Sequence, residues 1–189
     1  MSGILNPIQV IERGCISNVN PDNIQPNSID LTVDKVFTMS GTLVLYKDST
    51  DRKLPDYTPL KTFTYEGLEM YKLEPGQRYQ IEFTEQLNLQ GNICALTLVR
   101  SSMAKSGCTG ENGLFDTGYR GGTGMMVSVQ DESYIQVGAS IAQMIFFEAA
   151  PSRNYNGFYQ GTTSPMEWAN GWSSTTRASN VWEKYFSYC

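Results

Sequence analysis

Short stretches with a two-residue hydrophobic period dominate the chain. Tyr79, Ile81 and Phe83 alternate with polar neighbours after a Pro75-Gly76 turn. The alternation returns over Asn92–Val99, Met125–Val129 and Ile141–Phe147, and this is the period at which a strand puts successive side chains on opposite faces. Leu43-Val44-Leu45-Tyr46 is a compact apolar run of strand length. Only one segment has helical spacing. Asn6-Pro7 supplies a cap and a first-turn proline, Ile8, Val10 and Ile11 follow, and Gly14 stops the run. Short strands separated by Gly, Pro, Asn and Asp turns, with no fixed repeat and no dividing linker, predict an all-β, single-domain distorted jelly roll or β-barrel with a short N-terminal helix. The charged, proline-containing segment Lys47–Tyr65 reads as an exposed loop or hairpin excursion.

The C-terminal part has another texture. From Asn154 to Asn180 it is rich in small polar residues yet contains Tyr155, Phe158, Tyr159, Trp168 and Trp172. It reads either as an extended arm laid on a neighbouring subunit or as a flap over a ligand. The expected division is a β domain over residues 1–153 with an arm over 154–189.

Composition narrows the class. With 189 residues, 40% of them hydrophobic and 17% charged, the chain can bury roughly 70% of its unfolded surface in one core. The net charge of −5 opposes non-specific binding to duplex DNA or anionic membranes, and no apolar run approaches the roughly 20 residues of a membrane span. Histidine is absent, which removes Ser–His and Cys–His nucleophile pairs and imidazole metal sites. Cys15, Cys94, Cys108 and Cys189 form no CxxC pair. Met1–Gly3 runs directly into Asn6-Pro7 without a basic start and apolar stretch, so the expectation is a reduced, cytoplasmic protein.

Three stretches can carry chemistry. Leu98-Val99-Arg100-Ser101-Ser102 runs from a strand into a turn, and guanidinium, hydroxyls and backbone N–H groups together suit phosphate; the same residues also make an ordinary capped turn. Gly113-Leu114-Phe115-Asp116-Thr117-Gly118-Tyr119-Arg120-Gly121-Gly122 sets one carboxylate and one tyrosine among glycines, as a plain hairpin does, or as a hairpin whose backbone edge reads a small planar group. In Val137–Phe146 the amide of Gln143 interrupts an apolar strand and either bonds a neighbouring backbone or faces a site.

Taken together and in this order, these segments resemble the dUTPase and dCTP deaminase superfamily. Asn23-Ile24-Gln25-Pro26-Asn27-Ser28-Ile29-Asp30-Leu31 looks like its first motif, and Arg100-Ser101-Ser102 with Ala104 and Gly107 like the second. Phe115–Gly121 looks like the third, Gly138 with Ile141-Ala142-Gln143 like the fourth, and Tyr155-Asn156 with Tyr159-Gln160-Gly161 like the C-terminal segment of the deaminase branch. The resemblance implies a dUTPase-like β-clip fold and a homotrimer. Deaminases of this family carry a proton-shuttling glutamate ten positions after the motif-three aspartate. Here that position is Met126, and a thioether moves no proton. Asp131 and Glu132 lie beyond the strand, and Lys105 stands where the deaminases have arginine.

The phosphatase residues are matched instead. By resemblance Asp116 orients the attacking water, Tyr119 packs under the deoxyribose, Arg100, Ser101, Ser102 and Gln143 contact phosphates, and Tyr155 and Gln160 belong to the closing segment. Mg²⁺ is held mainly by the triphosphate. The expected activity is Mg²⁺-dependent hydrolysis of dUTP to dUMP and pyrophosphate. The alternatives are a dCTP deaminase with an atypical proton shuttle and a catalytically silent nucleotide-binding homologue.

Overall fold

The computed structural model describes residues 3–47, 52–151, 153–162, 164 and 167. Helix α1 (Pro7–Glu12) is followed by strands β1 (Ile16–Ser17), β2 (Ile29–Ser40), β3 (Val44–Leu45), β4 (Arg52–Lys53), β5 (Asp56–Pro59), β6 (Phe63–Tyr65), β7 (Leu68–Leu73), β8 (Arg78–Asn88) and β9 (Ile93–Val99). Helix α2 (Ser101–Lys105) then leads into β10 (Cys108–Gly110), β11 (Leu114–Phe115), β12 (Arg120–Val129), β13 (Ser133–Gln136) and β14 (Ser140–Glu148). The Asn6 side chain accepts from Ile8 N–H and Pro7 opens α1, as the sequence predicts.

The main sheet runs β10-β12-β8-β2-β14-β9-β11, with β1 also paired to β8 and β5 to β2. The 12-residue strand β2 joins its two halves. Its first residues pair with β14, Ile29 with Met144 and Asp30 with Gln143. From Val33 onward it pairs with β8, with a register shift between Val33 and Lys35. Such a bulge sharpens twist and lets one strand serve two differently inclined parts of a sheet. The concave side is closed by Ile29, Leu31, Val33, Ile81, Phe83, Met125, Val127, Met144 and Phe146, all buried. The alternating positions of β8, β12 and β14 supply most of these, so hydrophobic period and core agree.

Two features go beyond the strand pattern of the sequence. β2 is the longest strand described, yet its apolar residues are interrupted by Asp30, Asp34 and Lys35. The excursion over 47–65 contributes ordered pairing where it is described, since β5 adds to β2 and β6 pairs with β7. The apolar run Leu43–Tyr46 yields only the two-residue β3, and Leu43, Leu45 and Tyr46 are exposed. Trp168, Trp172 and most of the proposed arm lie outside the described residues.

Candidate active site

The residues singled out from the sequence fall into two clusters. The first gathers where β9 ends and β2 and β14 begin. Arg100 follows Val99, its backbone N–H donating to Ile141 C=O at 2.9 Å and its C=O receiving Ala104 N–H. Its guanidinium donates from Nη1 to the Ser140 carbonyl at 3.0 Å and pairs through Nη2 with Asp30 Oδ2 at 3.3 Å. Gln25 Nε2 donates to the same Asp30 oxygen at 3.2 Å. Gln143 stands directly opposite Asp30 on β14 and opposite Leu98 on β9, so it faces the cluster from the neighbouring strand. Ser101 and Ser102 are exposed at the start of α2, which spans only 5 residues. Asp30 is buried, and that burial pushes its carboxyl pKa up against the opposing pull of Arg100 and Gln25. Asp30 belongs to the first motif, and the motif alone assigns it no role. The signal available in sequence was a carboxylate flanked on both sides by core residues, Ile29 and Leu31.

The second cluster is the β11–β12 hairpin. Tyr119 N–H donates to Asp116 C=O at 3.1 Å, closing a turn in which Gly118 has φ +86°; that value is what the third residue of a type II turn requires. A side chain at position 118 would also strike Asn154 Cβ at 2.8 Å. Asp116 is therefore exposed at the tip while Tyr119 turns inward and is buried. The Tyr119 hydroxyl donates to Gly122 C=O at 2.8 Å, and its ring meets Phe115 at 5.2 Å and Tyr155 at 5.6 Å. Burial first, then Tyr155, drives its phenol pKa far upward, so the phenol stays protonated.

The chain's own C-terminal segment is fastened to this hairpin. Tyr155 N–H donates to Thr117 C=O at 2.7 Å, and Gly122 N–H to Thr162 C=O at 2.8 Å. Gln160 grips the turn with both ends of its amide, accepting from Arg120 N–H and donating to Gly118 C=O, each at 2.9 Å. The Tyr155 hydroxyl accepts from Tyr159 N–H at 3.2 Å. Tyr155 and Gln160 thus hold the segment in place here.

The two clusters do not meet within one chain. Leu114 pairs with Leu96 and Phe115 with Ala95, which carries Asp116 to the Cys94 end of β9, where its charge joins burial in raising the Cys94 thiol pKa. Arg100 follows the other end of that strand. At about 3.3 Å per residue, six residues of β9 set them about 20 Å apart.

Met126 lies on the face of β12 away from the core. With Leu43, Leu54, Tyr57, Tyr159, Arg52 and Arg78 it lines a cavity of about 480 Å³, and a thioether stands at the position where deaminases place their glutamate. Asp131 and Glu132 are exposed, and Glu132 is engaged by Lys72 at 2.8 Å and by the Tyr134 hydroxyl. No group of three or more Asp, Glu or Cys side chains converges among the described residues. No helix among the described residues is long and apolar enough to cross a membrane.

The model of the dCTP deaminase-like family matches residues 5–149. The chain belongs to that family. Its sequence relatives carry the hydrolase name: it is 32% identical over 141 residues to a probable deoxyuridine 5'-triphosphate nucleotidohydrolase of Methanosarcina acetivorans, covering 72% of this chain and 80% of that one. It is 31% identical over 150 residues to the deoxyuridine 5'-triphosphate nucleotidohydrolase of Methanocaldococcus jannaschii, covering 79% and 94%. Among solved structures, the 2'-deoxycytidine 5'-triphosphate deaminase of Agrobacterium tumefaciens shares the fold with a TM-score of 0.59 at 19% identity, over 78% of this chain and 48% of that one. The dUTPase-like β-clip expected from the motifs is the architecture observed.

Proposed function

We propose that this protein hydrolyses the Mg²⁺ complex of dUTP to dUMP and pyrophosphate, as a homotrimer whose sites lie between subunits. The observation that carries the reading is the motif-three hairpin, which exposes Asp116 at its tip beside the buried wall of Tyr119, while the position that would serve deamination is the thioether of Met126. The names of the relatives, dUTP nucleotidohydrolases at 31–32% identity, support the same choice.

In this mechanism Asp116 takes a proton from a water that attacks the α-phosphorus. The bond from that phosphorus to the α,β-bridging oxygen breaks, and pyrophosphate leaves with the cation. Arg100, Ser101, Ser102 and Gln143 of a second chain face the phosphates and offset the charge that develops there. One chain cannot bring Asp116 and Arg100 to a single triphosphate across about 20 Å of β9, whereas a neighbouring copy related by cyclic symmetry can supply the missing half at every site. The C-terminal segment held by Gln160 borders the Tyr119 side of the pocket.

The test is incubation of purified protein with dUTP and, separately, dCTP in Mg²⁺, with the products resolved by chromatography. Release of dUMP and pyrophosphate is the expected result. Conversion of dCTP to dUTP would establish the deaminase instead, and turnover of neither would leave a nucleotide-binding homologue.

A further inference from the structure

Asp30 poses a question that its place in the fold does not answer. It is the second residue of β2, between the core residues Ile29 and Leu31 and on the opposite face from both. Its side chain is 5% exposed, while that of its partner Arg100 is 37% exposed. A buried ion pair is a poor way to gain stability, because desolvation of the carboxylate offsets much of the attraction, and apolar replacements are often as stable. The asymmetry is informative as well: the carboxylate is enclosed, but the guanidinium it holds keeps a face open to solvent.

The contacts fix Arg100 from behind. Asp30 takes Nη2, the Ser140 carbonyl takes Nη1, and the backbone N–H is tied to Ile141. Ser140 is itself steadied, its hydroxyl donating to Asn23 Oδ1 at 3.3 Å. Gln25 holds the Asp30 oxygen that receives the guanidinium. A guanidinium has five N–H donors in one rigid plane, so engaging two of its corners sets the direction of the remainder. Ser101 follows immediately in sequence, and Gln143 stands directly across from Asp30.

We propose that Asp30 is a positioning residue which, with Gln25 and the Ser140 carbonyl, orients the Arg100 guanidinium toward the triphosphate of the substrate. The inference rests on the reading of Arg100 as a phosphate contact. Its weight falls on binding: without the brace, Arg100 still carries its charge but samples several rotamers, and each substrate must then be met by an arginine that has first to be ordered.

The experiment measures kcat and KM for dUTP in full-length wild-type protein and Asp30→Asn, and the Kd for inorganic tripolyphosphate by calorimetry in these two, Arg100→Gln and the double variant. Asp30→Asn is expected to raise KM and the tripolyphosphate Kd by about tenfold to a hundredfold, with a smaller loss in kcat. The double variant should bind no more weakly than Arg100→Gln alone, because the brace has nothing left to orient. Effects that multiply, or a wild-type KM and Kd in Asp30→Asn, overturn the proposal. Gln25→Ala supplies an independent arm should Asp30→Asn not fold: a severalfold rise in the tripolyphosphate Kd is expected in the Arg100 background and none in the Arg100→Gln background, and equal rises in both overturn the idea. If wild-type protein does not turn over dUTP yet binds tripolyphosphate with this coupling, the functional reading fails and the positioning role stands. If it neither turns over dUTP nor binds tripolyphosphate, the positioning role falls too.

Discussion

Arg100 and Asp116 stand at opposite ends of the same strand, β9, one following Val99 and the other brought beside Cys94 by the Phe115–Ala95 pairing. A site that uses both must take them from different copies. Arg100→Gln and Asp116→Asn should each be inactive alone. Co-refolded as a mixture of equal parts, they should regain about a quarter of wild-type activity, since a site then needs an intact arginine from one copy and an intact aspartate from the next, each present half the time. Measuring dUTP hydrolysis after co-refolding checks this, and no recovery would mean that both residues of a site come from one chain.

Asp116→Asn removes the proposed base and keeps the shape of the turn, because the contact that closes the turn is made by the Asp116 carbonyl. The expected loss in kcat is about a hundredfold to ten-thousandfold, with the affinity for a non-hydrolysable dUTP analogue close to wild type. Single-turnover kinetics with parallel calorimetry reads both. A variant retaining most of its rate would mean that another group activates water.

Gln160 is the clamp of the C-terminal segment, with one amide bonded to Arg120 and Gly118 at once. Gln160→Ala gives up both bonds, which at about 0.5–1.5 kcal/mol each is enough to release the segment locally without unfolding the domain. The expected outcome is faster amide exchange at Gly161, whose N–H is bound to Arg120 C=O, and a higher KM at unchanged thermal midpoint. Unaltered exchange at Gly161 would show that the backbone bonds and ring contacts hold the segment without the Gln160 amide.

Glu85 is a wholly buried carboxylate that ties β8 to β2 through Thr32 N–H at 3.0 Å and the Thr32 hydroxyl at 2.8 Å. Burial raises its pKa above the ordinary 4.5, outweighing the lowering effect of the Thr32 bonds. The folded protein then holds this proton more tightly than the unfolded chain does. The contribution is therefore greatest at low pH and declines as pH climbs from the unfolded value through the raised one. In Glu85→Gln that decline should be absent, so the difference in thermal midpoint between variant and wild type should grow in favour of the variant as pH rises above the ordinary 4.5. A difference constant with pH would mean that the carboxylate titrates normally in the fold.

Local pattern went a long way here. The period of two in Tyr79–Phe83, Asn92–Val99 and Ile141–Phe147 assigned core faces that the fold confirms, and Asn6-Pro7 marked the helix start. The order of the motifs around Asp30, Arg100, Asp116 and Gln143 carried the family, and Met126 the argument against deamination. These are properties of residue type and spacing, which a sequence displays directly. Strand pairing is not: a two-residue period says which face a side chain takes but not which strand lies alongside or in what register. The tertiary structure alone therefore decided that Asp116 sits at one end of β9 and Arg100 at the other. It also decided that Asp30 braces that arginine from behind and that Gln160 closes on the turn at Gly118, because each of these contacts joins segments that only the folded sheet brings together.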